Sequence, residues 1–207
     1  MKIVVVNTSV GNVRAIPNML RRLQVGATVG SDPETVAGAE CLFLPGVGSY
    51  DAAVRAIRAA GLWQAMDERA RAGIPMLGIC LGMQLMTEGS EEGSEPGFGW
   101  IPGRLRRFRP EDGGDRPIRV PHMGWNLIEE ADGLPLYRDM TERRFYFNHS
   151  YYYPPEHPDH VCGITGHGVR FAAGIRSGNL FGVQFHPEKS HRFGLKLFEN
   201  FLKEARR

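Results

Sequence analysis

The run Ile74-Pro75-Met76-Leu77-Gly78-Ile79, followed at once by Cys80-Leu81-Gly82, constrains the fold more than any other stretch of this chain. Its length and apolarity are those of a strand buried on both faces, which occurs in parallel sheets covered by helices. The preceding residues repeat the same grammar. Ile3 to Val6 reads as a strand, Val13, Ile16, Leu20 and Leu23 fall at helical spacing, and Cys41 to Leu44 forms a second apolar run ending in Pro45-Gly46. Helical stretches over about 51–60 and 62–72 then lead through Gly73 into the Ile74 run, so the first half predicts alternating β and α elements.

After Glu88 the pattern changes. Gly, Pro and charged loops separate shorter apolar segments near Leu105, Ile118 to Val120, Asn126 to Ile128, Phe145 to Asn148, Val161 to Thr165 and Phe171 to Ile175. These predict antiparallel additions. The chain closes on a strand over Leu180 to Phe185 and a helix whose Phe193, Leu197, Phe198 and Phe201 share one face. The expected architecture is α/β, a mostly parallel sheet flanked by helices with an antiparallel β segment in the second half, in a single domain over 1–207.

Charge and cysteine usage narrow the function. Lys plus Arg number 25 against 23 Asp plus Glu, a net charge of +2, which argues against nucleic-acid and membrane-surface partners. The interleaved Arg104 to Arg109 stretch reads as a solvated strand edge. No apolar run approaches the ~20 residues of a membrane span and no signal-peptide pattern opens the chain, so a cytoplasmic protein is expected. Three widely spaced cysteines, Cys41, Cys80 and Cys162, make neither a disulfide framework nor a zinc knuckle. Cys41 and Cys162 lie in apolar runs and read as packing residues.

Cys80 differs, because Gly78-Ile79-Cys80-Leu81-Gly82 is the cysteine form of a nucleophile elbow, where a strand turns sharply into a helix. Small flanking residues let neighbouring backbone come close, and a helix N-terminus favours a thiolate. The Leu81 N–H is a natural oxyanion donor, and the Gly46-Val47-Gly48 loop at the end of the preceding strand is a second candidate. A thiolate that attacks an amide needs a partner that protonates the leaving nitrogen. Of seven histidines, His186 stands out at a strand end, with Glu188 two residues on to orient it. His157, His160 and His167 read as solvated loop residues rather than a metal cluster.

At this point the chain resembles the class I, triad-type glutamine amidotransferases, through Pro45-Gly46-Val47-Gly48, Gly78-Ile79-Cys80-Leu81-Gly82-Met83-Gln84 and Gly182-Val183-Gln184-Phe185-His186-Pro187-Glu188. The resemblance spans nearly the whole chain and implies a flavodoxin-like sheet and a Cys80, His186, Glu188 triad that needs no metal or cofactor. Pro121-His122-Met123-Gly124-Trp125-Asn126 and Asn148-His149-Ser150-Tyr151 bring it nearest to the glutaminase subunits of imidazole glycerol phosphate synthases. That resemblance implies a heterodimer with a (β/α)₈-barrel cyclase subunit that consumes the ammonia in histidine biosynthesis. It further implies that Gly48, Gln84, Ser150 and Tyr151 hold glutamine, and that Asn12, Met123, Gly124, Trp125 and Asn126 lie towards the partner. The family usually reads D-Y-G-x-G-N after the first strand; here Asn7-Thr8-Ser9-Val10-Gly11-Asn12 retains only the final glycine and asparagine. Rival readings are an ammonia-donating glutaminase serving another pathway, a catalytically silent scaffold of the same fold, and a cysteine peptidase.

Overall fold

The computed structural model describes residues 1–8, 13–129 and 134–206. Thirteen strands are assigned in it. The first four are β1 (Ile3–Val6), β2 (Thr28–Gly30), β3 (Cys41–Gly46) and β4 (Met76–Cys80). They are followed by β5 (Gly89–Ser90), β6 (Arg104–Arg107), β7 (His122–Leu127), β8 (Arg144–His149), β9 (Tyr151–Tyr152), β10 (Ile164–His167) and β11 (Val169–Ala172). The last two are β12 (Gly174–Ser177) and β13 (Leu180–Val183). Six helices intervene: α1 (Ala15–Arg22), α2 (Pro33–Ala37), α3 (Tyr50–Ala59), α4 (Leu62–Arg71), α5 (Leu81–Leu85) and α6 (His191–Glu204).

The main sheet has the order β12-β13-β4-β3-β1-β2. All pairings are parallel except β12 with β13, which form an antiparallel edge. The α/β fold with a mostly parallel sheet is therefore present, and the antiparallel pairs β7–β8, β10–β11 and β6–β9 supply the expected second-half additions.

Period-two alternation builds a core on each face. Ile3, Val5, Phe43, Leu77, Ile79, Phe181 and Val183 pack with Ile16 and Leu20 of α1 and Leu197, Phe198 and Phe201 of α6. Val4, Val6, Leu42, Leu44 and Met76 turn the other way, against Val54, Ile57, Met66 and Met83 of α3, α4 and α5. Leu197, Phe198 and Phe201 are fully buried, each contributing about 1.5–3 kcal/mol, so α6 is held by its apolar stripe.

Some expectations need correcting. Ile118 to Val120 forms no strand: Pro117 and Pro121 bracket it and neither can donate to a ladder, while the Ile118 N–H bonds to Pro110 O within its own loop. Phe171 to Ile175 is two strands, β11 and β12, not one. β7 begins at His122, four residues before the expected start, because Gly124 with φ of 136° interrupts the apolar alternation without ending the pairing with β8. The short edge strand β2 and helix α2 carry too few apolar residues to register in the sequence pattern.

Candidate active site

Strand register assembles the site. Gly46 lies opposite Cys80 in the β3–β4 pairing, and Val183 lies opposite Ile79 in the β13–β4 pairing. The C-terminal ends of three parallel strands therefore place the Gly46 loop, Cys80 and the Gln184-to-Glu188 segment side by side, at the edge where open α/β sheets bind ligands.

Cys80 ends β4 with φ of 54° and ψ of −110°, a conformation that costs a non-glycine residue about 1–3 kcal/mol. The flanking glycines make the turn feasible. A Cβ on Gly82 would stand 1.7 Å from the Leu44 carbonyl oxygen, and one on Gly78 would stand 2.8 Å from Gly82 backbone, so α5 rests directly on the main chain of β3 and β4. Cys80 is 6% exposed, its Sγ 3.7 Å from the Gln184 amide nitrogen and 4.0 Å from Asn148 O.

His186 Nδ1 lies 2.7 Å from Glu188 Oε1, which leaves the other ring nitrogen for the Cys80 thiol on the wall of the same cavity. Burial disfavours the imidazolium, yet the hydrogen bonds and charges of Cys80 and Glu188 outweigh it and push the His186 pKa up to about 10. The turn that carries the pair is tied down by hydrogen bonds. Pro187–Lys189 forms one 3-10 turn, the His186 N–H bonds Tyr146 O at 2.8 Å, and Ser190 Oγ donates to His186 O at 2.6 Å.

A cavity of about 250 Å³ opens over the sulfur, walled by Val47, Gly48, Leu81, Gln84, Ser150 and Tyr151 as well as Cys80 and His186. It thus gathers the expected oxyanion and glutamine-holding residues, except that Gly46 lines an adjoining cavity of about 360 Å³ with Val47, His186 and Glu188. Gly48 has φ of 106°, which admits few residues other than glycine. Gln84, 5% exposed, donates to Gln184 Oε1 at 3.2 Å and to Tyr151 O at 3.4 Å.

Four further residues on these walls had been given no role from the sequence: Glu92, and Pro121, Asn148 and His149 from the motifs that carry the family resemblance. Burial pushes the half-buried Glu92 carboxyl up, against hydrogen bonds from Tyr50 and Ser49. Glu92 sits in a charged loop whose composition singles out no one acid.

The expected partner-facing residues lie on β7. Met123 and Trp125 are 62% and 39% exposed on one side of the strand and continue into Leu127 at 49%, whereas Asn126 is half-buried. Asn12 lies outside the described residues. Trp125 stacks on His191 with ring centroids 5.7 Å apart, so it is an exposed aromatic rather than core filling.

Cys41 and Cys162 are packing residues, their thiols pushed up by burial to about 12 and about 11. The histidine expectation fails at His167, which belongs to β10 and stacks on His122 with centroids 4.3 Å apart. His160 is also held, its Nδ1 2.9 Å from Arg176 O. Among the described residues, no group of three His, Cys, Asp or Glu side chains is arranged to hold a metal ion, and no helix is long and apolar enough to cross a membrane. The Arg104–Arg107 strand is solvated as expected, with Arg106 paired to Glu156 at 2.6 Å and Leu105 buried beneath, but it is no edge: β6 is the middle strand of β5-β6-β9.

Comparisons with known proteins give the family. Residues 4–205 match the model of the family described as glutamine amidotransferase class-I. The imidazole glycerol phosphate synthase subunit HisH 2 of Pseudomonas aeruginosa is 43% identical over 97% of this chain and 98% of its own. The HisH subunits of Synechocystis sp. and Bdellovibrio bacteriovorus are 42% and 38% identical over 98% and 95% of this chain, and 96% and 97% of theirs. Among solved structures, a glutamine amidotransferase superposes with a TM-score of 0.74 at 20% identity over 99% of both chains, and PurLQS from Thermotoga maritima with 0.73 at 21% over 98% of both. These two carry the fold alone. The sequence relationships carry more: the chain belongs to the class-I glutamine amidotransferase family and, within it, to the HisH subunits of imidazole glycerol phosphate synthase.

Proposed function

We propose that Cys80, His186 and Glu188 hydrolyse glutamine to glutamate and ammonia through a thioester, and that the ammonia passes to a separate cyclase subunit in the cytoplasm. The observation that carries this reading is the 250 Å³ cavity in which a sulfur, a histidine tied to a carboxylate, and polar groups suited to an amino acid face one another.

With its pKa near 10, His186 rests as an imidazolium at neutral pH, beside a sulfur it favours as thiolate. The thiolate attacks the side-chain amide carbon of glutamine, and the oxyanion is held by N–H groups of Leu81 and of the Gly46-Val47-Gly48 loop. His186 gives its proton to the departing nitrogen as the C–N bond breaks, releasing ammonia and leaving a glutamyl thioester. Water then adds to the thioester as the now neutral ring takes its proton. Collapse expels the thiolate and glutamate, restoring the ion pair. Glu188 fixes the ring through Nδ1 in both halves.

At the amino-acid end, Glu92 faces the α-ammonium of the substrate, while Gly48, Gln84 and the Ser150-Tyr151 backbone hold the rest. The exposed Met123, Trp125 and Leu127 stripe, with Gly124 and Asn126, forms the seat for a (β/α)₈-barrel cyclase, since large apolar side chains on a strand face anchor interfaces.

Glutamate release measured for the purified chain, alone and with the cyclase subunit and its nucleotide ligand, tests the reading. A large rise in the mixture is expected. Equal turnover with and without the cyclase would assign the ammonia to a different acceptor, and silence in both would leave a non-catalytic subunit.

A further inference from the structure

Behind the Ser150-Tyr151 wall runs a chain of side chains that the chemistry above does not use. His149 Nδ1 lies 2.8 Å from Tyr151 O, His149 Nε2 lies 3.0 Å from His122 Nδ1, and His122 Nε2 lies 3.4 Å from the amide nitrogen of Asn126. Asn126 is itself fixed at both ends, donating to Gly166 O at 2.9 Å and accepting from the Leu127 N–H at 2.8 Å.

The two ends dictate every proton between them. A carbonyl only accepts, so His149 carries its hydrogen on Nδ1, and in the neutral ring Nε2 is then an acceptor. His122 must therefore donate from Nδ1, which makes its Nε2 the acceptor for the Asn126 amide. Only the neutral Nδ1–H tautomer satisfies both rings.

Their surroundings enforce it. The rings are 5% and 6% exposed, and His122 stacks on Phe147 and His167 with centroids 4.9 and 4.3 Å away. Burial, foremost, pushes the His122 pKa down to about 4 and that of His149 to about 3. The same Tyr151 carbonyl accepts from Gln84, which bonds Gln184, whose amide reaches the Cys80 sulfur.

Resting on the reading of this cavity as the glutamine site, we propose that Asn126, His122 and His149 are positioning residues: a one-way hydrogen-bond relay that fixes the Tyr151 carbonyl on the substrate wall. A neutral relay suits this place because His149 and the His186 imidazolium line one cavity, where a second positive ring would oppose the first.

Nitrogen-15 NMR of the imidazoles in the full chain at neutral pH reads the tautomers directly. Both His122 and His149 should show a protonated Nδ1 and a bare Nε2; a proton on Nε2 of either overturns the relay. In the complex with the cyclase subunit, His122→Phe keeps a stacked ring but removes the donor, and the KM for glutamine should rise about tenfold with kcat changed far less. His122→Asn sets an amide nitrogen where Nδ1 stood and should return KM to within about threefold of wild type. Turnover with an unmoved KM in His122→Phe, or failure of Asn to restore it, sinks the relay alone. Absence of glutamine turnover in the wild-type complex would sink the site reading and the relay together.

Discussion

Gln184 points its side-chain amide at the Cys80 sulfur, 3.7 Å away across 104 positions of sequence. The contact follows from the β13–β4 register, which sets Gln184 level with the residue after Ile79. A donor there favours the thiolate, and hydrogen bonds to charged groups contribute about 1.5–3 kcal/mol. Gln184→Leu should therefore slow alkylation of Cys80 by a glutamine-like electrophile at neutral pH by about tenfold or more, measured by mass spectrometry against time. An unchanged rate would remove Gln184 from the site's chemistry.

Cys80 and Glu188 together raise the His186 pKa against the cost of burial. The folded pKa of His186 is raised above its ordinary 6.5 to about 10, so its contribution to stability is fully present below pH 6.5 and is lost as pH rises towards 10. Thermal midpoints of the wild type should fall across that window. In Glu188→Gln the fall should be shallower, the alkaline limb of glutamine turnover should move to lower pH, and kcat should drop on the order of a hundredfold or more. An alkaline limb in the same place would show that Glu188 does not support the imidazolium.

Gly82 is required by packing rather than chemistry. A Cβ 1.7 Å from Leu44 O must push α5 off β3, so Gly82→Ala should cost about 1–3 kcal/mol or more in denaturant titrations. Wild-type stability in that variant would contradict the direct seating of the elbow on the sheet.

Trp125 should matter only in the complex. Trp125→Ala is expected to weaken cyclase binding by about 2 kcal/mol, near thirtyfold by calorimetry, while free-chain stability changes by about 0.5 kcal/mol or less. Full affinity in that variant would move the interface away from β7.

What was legible in the sequence was what neighbouring residues encode. The elbow and the His186-Pro187-Glu188 turn are each local signatures, and Leu197, Phe198 and Phe201 announce α6 by their spacing. What was hidden depends on pairing between distant strands. His122 and His149 are 27 positions apart and meet because they face each other in the β7–β8 ladder. Pro121 and Gly124 disguise the start of β7, so neither its register nor the histidine pair could be read beforehand. Glu92 shows the same limit: only its position against the cavity separates it from the other acids of its loop.

Acid quenching of the chain–cyclase complex during glutamine turnover, followed by peptide mass spectrometry, should trap a glutamyl adduct on the Cys80 peptide. The adduct should be absent from Cys80→Ala, a variant expected to keep its fold but release no glutamate. Continued glutamate release by Cys80→Ala would contradict it.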